Sequence, residues 1–99
     1  MNMPHAADDR WYEISNADEV PSPALVVYPD RIEENIRRMI RTSGNPARLR
    51  PHVKTHKTAE IVAMQMKGGI SKFKCATIAE AEMTAACGAR DVLLSLIHI

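Results

Sequence analysis

The sequence predicts an α/β fold built on a parallel sheet, and three observations predict it. Short runs of strand-forming residues alternate with helix-period stretches from residue 24 onward. The turns between them are short and marked by glycine. Two of the helix starts carry an Asp or Thr followed three residues later by Glu, the pattern of a capping box. Strand and helix in alternation, joined by short turns, indicate βαβ units.

Residues 1–20 are polar and mixed, with Trp11, Tyr12 and Ile14 as anchors. Pro21-Ser22-Pro23 stiffens the entry to residues 24–28, ALVVY, which read as a first strand-like segment. Asp30 then reads as the N-cap of a helix with Glu33 as its capping partner. Ile32, Ile36, Met39 and Ile40 recur on one face of that helix, and Gly44 and Pro46 stop it. Residues 48–54 read as a strand, and 58–67 as a helix closed by Gly68-Gly69. Residues 72–76 read as the next strand. Thr77, with Glu80, opens an alanine-rich helix that ends at Cys87-Gly88, and 91–95 form a third strand. Met64, Met66 and Met83 fall where helix packing residues are expected, and Thr77 is read as a cap ahead of any cofactor contact.

Composition narrows the function classes. Of 99 residues, 45% are apolar, which is ordinary for a globular protein, and 13 basic residues face 12 acidic ones. That balance gives no reason to expect a nucleic-acid or membrane-surface partner. Cys75 and Cys87 lack CxxC spacing and read as buried or idle thiols in a reducing compartment. The first sixteen residues have no apolar core of a signal peptide, and no apolar run is long enough to span a bilayer. A cytoplasmic location is expected. The apolar tail 92–99 has no turn or cap after it. A (β/α)8 barrel takes about 250 residues, so a truncated barrel is expected.

One stretch stands out: "RPHVKTHKT" at 50–58. In a strand, Arg50, His52, Lys54 and His56 would share one face while Leu49, Pro51 and Val53 share the other. The polar face at a strand's C-terminal end points to where βα loops build active sites. Positive neighbours favour the neutral form of Lys54, the form that Schiff-base chemistry needs. Three other readings compete on residues alone. A zinc pair from His52 and His56 would use helical spacing, against which Pro51 argues. A phosphate or nucleic-acid patch lacks interleaved aromatics. A solvated basic strand end with no chemistry is the bland reading. Periodicity leaves these open.

The motifs go further. "RPHVKTHKT" at 50–58, "FKCATIAEAE" at 73–82 and "GARDVLL" at 88–94, in that order, resemble the start of the D-threonine aldolase / D-serine dehydratase family. These are pyridoxal-phosphate enzymes of the alanine-racemase fold type, and the similarity covers residues 11–95. The resemblance implies a barrel of alanine-racemase type followed by a β-domain, working as a homodimer on a small D-amino acid. It implies that Lys54 forms the internal aldimine with pyridoxal 5'-phosphate. It places His52 and His56 around that lysine, shaping its surroundings and the cofactor site. Lys57 is expected to be a solvated charge. Arg50 is expected either in the positive field around the cofactor phosphate or paired with a surface carboxylate.

The domain reading is a polar lead-in at 1–23, a partial barrel at 24–95 and an aberrant tail at 96–99. The divalent metal of the family, zinc or manganese, is expected only in a full-length protein, with no metal ligand in this stretch. The 99-residue chain alone is expected to show little activity. A racemase of the same fold and a non-catalytic cofactor carrier are the alternatives to a lyase. A small standalone α/β binding domain is a third.

Overall fold

Pro29 has a ring-fixed φ and no N–H to satisfy, so it suits the first turn of a helix. In the computed structural model, which describes residues 10–95, helix α1 runs Pro29–Ser43 with Tyr28 at its N-cap. This corrects the expected start. Asp30 sits inside the first turn, and no side chain caps the helix. Glu33 accepts from Arg37 Nη1 at 3.0 Å rather than reaching back to the chain. The helix ends as expected at Gly44, whose φ of 82° is a left-handed conformation that glycine adopts without strain. Its N–H donates to the Ile40 carbonyl.

Ahead of α1, the apolar run 24–28 makes no ladder, which corrects its reading as a strand. Leu25, Val26 and Val27 stay exposed, because no neighbouring strand among the described residues offers rungs to them. What fixes the lead-in is aromatic. Trp11 meets Tyr12 and Tyr28 edge-on, the Arg31 guanidinium lies 3.5 Å over the Trp11 ring, and the Tyr28 hydroxyl donates to the Tyr12 carbonyl at 2.6 Å.

Beyond a short 3-10 turn at Pro46–Arg48, the order is α2 (Ala59–Lys67), β1 (Lys72–Cys75), α3 (Ile78–Ala86) and β2 (Asp91–Leu94). β1 and β2 pair in parallel from Lys72↔Asp91 to Cys75↔Leu94. The segment before α2 joins β1 through one parallel bridge, His52↔Lys74. Val53 N–H donates to Lys74 O at 2.8 Å, and Lys74 N–H to Pro51 O at 2.9 Å. The strand expected over 48–54 is therefore cut to a single rung pair, and each end has a cause. Arg48 belongs to the 3-10 turn. Pro51 has no N–H to donate to the next rung toward Lys72. On the far side, the chain turns away after Val53.

The three segments lie side by side in sequence order, and the crossing helices α2 and α3 touch each other. Helices on one side of a sequentially ordered parallel sheet form a stretch of barrel wall. A doubly wound sheet would reverse its order and carry helices on both faces. Phe73 and Cys75 point to the helix side and are fully buried with Val53, Val62 and Ile70, and Ile36 is buried beside them. Met64, Met66 and Met83 pack against this cluster, as their spacing predicted. Lys72 and Lys74 alternate onto the other side. Cys75 and Cys87 are free thiols, buried and half-buried respectively. Among the described residues no helix is long and apolar enough to cross a membrane.

Candidate cofactor-lysine site

The site begins where the first strand ends. Val53 is fully buried, and its carbonyl accepts the N–H of Lys57 at 2.8 Å and of His56 at 3.3 Å. Those bonds fold residues 53–57 into a tight turn. Lys57 closes it at φ 54°, a left-handed conformation that few side-chain-bearing residues adopt. The face-sharing expected for Arg50, His52, Lys54 and His56 therefore ends at His52. Lys54 and His56 leave the sheet and sit on the turn, at the C-terminal end of the strand.

Both histidines work first as turn acceptors. His52 Nδ1 accepts the Lys54 N–H at 3.1 Å, and His56 Nδ1 accepts the Thr58 N–H at 3.0 Å. An Nδ1 that accepts leaves the ring proton on Nε2. His56 Nε2 is buried and has no hydrogen-bond partner among the described residues. Burial lowers the His56 pKa, and the nearby Glu80 carboxylate opposes that shift. Lys54 is exposed, and its Nζ makes no hydrogen bond or ion pair among the described residues.

Lys57 is not the free surface charge expected of it. Its Nζ donates to the Lys54 carbonyl at 3.2 Å and to Glu80 Oε2 at 3.3 Å. Glu80 is 4% exposed, and its second oxygen accepts the Ala76 N–H at 2.9 Å. That N–H bond is the largest cause of the lowered Glu80 pKa, with Lys57 adding to it. Glu80 was legible in the sequence only as a capping partner. Thr77 does cap α3, accepting the Glu80 N–H at 3.1 Å, but the Glu80 carboxylate reaches one residue further back than a capping box requires.

Arg50 belongs to the opposite end of the strands. Its Nη1 donates to Asp91 Oδ1 at 2.8 Å and to the Phe73 carbonyl at 3.1 Å, stitching the first segment across β1 to the start of β2. Of its two expected roles, the structure gives it the carboxylate partner. That hydrogen bond raises the Arg50 pKa and lowers that of Asp91. His52 and His56 are not a helical zinc pair, since one lies on a strand rung and the other in a turn. No three His, Cys, Asp or Glu side chains gather as a metal-binding set among the described residues.

A barrel-wall sheet with an exposed lysine on the turn at a strand's C-terminal end defines a class of α/β protein with its chemistry at the barrel mouth. Residues 27–98 match the family described as alanine racemase, N-terminal domain, and the chain belongs to that family. It is a family of pyridoxal-phosphate-dependent barrel proteins. The chain is 41% identical over 76 residues to a D-threo-3-hydroxyaspartate dehydratase of Delftia sp. (strain HT23), covering 76% of this chain and 20% of that protein. It is 34% identical over 79 residues to a 3-hydroxy-D-aspartate aldolase of Paracoccus denitrificans (strain Pd 1222), covering 78% of this chain and 20% of that protein. The chain thus spans about a fifth of the length of the curated relatives it matches. No solved structure matches it.

Proposed function

We propose that this chain carries the cofactor lysine of a pyridoxal 5'-phosphate-dependent lyase acting on D-β-hydroxy-amino acids, and that Lys54 is that lysine. The observation that carries the reading is the placement of Lys54. It is exposed on a turn at the C-terminal end of the first barrel strand, and its amine is unengaged among the described residues. The donor set fits the cofactor: a free primary amine, with an Nε2–H of His56 on the same turn that is buried and has no acceptor among the described residues. The names of the relatives favour a 3-hydroxyaspartate over the D-threonine or D-serine that the motifs alone suggested.

When bound, pyridoxal phosphate supplies an electron sink for bond cleavage at the substrate's α- or β-carbon. Lys54 Nζ would hold the cofactor, and as a free amine it would be a base or acid able to move a proton at the substrate carbon. His52 fixes the Lys54 backbone through its Nδ1. His56 offers its Nε2–H to an acceptor at the site. The described residues do not fit a divalent metal, since they bring no ligand set together.

The test is to incubate the protein with pyridoxal phosphate, reduce with borohydride and map the modified peptide. Label on Lys54 is expected, and loss of that label in Lys54→Ala. Label on Lys57 or Lys74 with Lys54 untouched would overturn the assignment. In a full-length protein, consumption of 3-hydroxy-D-aspartate in preference to D-threonine and D-serine is expected.

A further inference from the structure

The two family-like motifs, "RPHVKTHKT" and "ATIAEAE", are joined by the ion pair between Lys57 and Glu80. In a parallel ladder Val53 would both donate to Lys74 and accept from Ala76. Only the first bond forms. The Ala76 N–H is taken instead by Glu80 Oε1, and the Val53 carbonyl by Lys57 N–H. Glu80 thus ends the ladder one rung early, which releases residues 54–57 from the sheet. Its other oxygen holds Lys57 Nζ, and that same ammonium holds the Lys54 carbonyl.

We propose that Lys57 and Glu80 form a clamp that positions Lys54 at the strand end. This rests on Lys54 being the cofactor lysine. Neither residue touches the Lys54 amine in the structure, so both are positioning residues. The carboxylate is buried while the Lys57 side chain is 59% exposed. Solvent screens such a pair, so its main effect is on where the turn sits rather than on how stable the fold is. The left-handed Lys57 backbone fits this role, because the position tolerates an unusual φ in order to aim one ammonium at two acceptors.

The test compares the rate of pyridoxal-phosphate attachment at Lys54, trapped by borohydride, in Lys57→Met, Lys57→Arg, Glu80→Gln, the Lys57→Met/Glu80→Gln double variant and Asn45→Ala. Glu80→Gln keeps an oxygen for the Ala76 N–H but replaces the acceptor of Lys57 Nζ with an NH2, so it is expected to fold without the pair. Each of Lys57→Met and Glu80→Gln is expected to slow attachment by about tenfold, the scale of effect that small misplacements produce. The double variant is expected to be no slower than either single one, because both remove the same contact. Lys57→Arg is expected to restore most of the rate. Asn45→Ala removes the cap of the Pro46–Arg48 turn, whose hydrogen bonds involve neither Lys57 nor Glu80, and is expected to leave the rate of the folded protein unchanged. Unchanged rates in Lys57→Met and Glu80→Gln would overturn the clamp, as would equal slowing in Asn45→Ala. If the unsubstituted protein takes no label at Lys54, the lysine assignment fails instead.

Discussion

A carboxylate buried as deeply as Glu80 must have its charge met, and each of its oxygens meets a different donor. Oε1 takes a backbone N–H and Oε2 takes an ammonium. His56, close enough to feel that charge, has the opposite condition, a buried ring nitrogen with no partner among the described residues. These two residues add to the acid sensitivity that the lowered pKa values of Asp91 and Glu34 also give the fold. The His56 pKa is depressed below the ordinary 6.5, so its contribution to stability is whole above 6.5 and is lost as pH falls through the folded value. The Glu80 pKa is depressed below 4.5, so its contribution is whole above 4.5 and is lost as pH falls through its own folded value. Melting temperature is therefore expected to decline in two stages on acidification, with the first absent in His56→Gln. A melting temperature that does not move across the histidine range would contradict the first stage.

At the scale of elements, local signals served the helices well where a cap was involved. Thr77 is the N-cap that the sequence predicted, and its hydroxyl answers one of the unpaired N–H groups of the first turn. Thr77→Ala is expected to cost about 1 kcal/mol, measured by chemical denaturation. The Asp30 prediction failed because Pro29, with its φ fixed near the helical value, starts the helix two residues earlier, and its first turn closes on the Tyr28 carbonyl. Strands were harder to read. Residues 24–28 have strand composition but no ladder, and 48–54 have alternation but only one bridge. Composition describes a willingness to pair, whereas a strand exists only where a neighbour supplies rungs.

At the scale of the whole molecule, a sequential parallel arrangement with α2 and α3 in contact makes one wall with a helix side and a sheet side. Phe73 is the largest fully buried side chain of that wall, lying between the sheet and its helices. Phe73→Ala is expected to destabilise the fold by about 3–5 kcal/mol, through lost burial plus the cavity left behind. Urea titration checks it, and a loss below about 1 kcal/mol would mean that this residue does not anchor the core.

The sequence by itself determined the α/β alternation, the helix ends at Gly44 and Cys87, the Thr77 cap and the methionine packing positions. Each of these depends on residues within about four positions of one another, or on a motif read in order. Only the tertiary structure decided where the first strand stops, that Arg50 answers Asp91 at the other end of the sheet, and that Lys57 joins Glu80. The last two contacts span 41 and 23 residues. Periodicity carries no information over such separations. A rung taken by a side chain instead of a strand, or a cation turned toward one distant carboxylate, is decided only when folding brings the segments side by side.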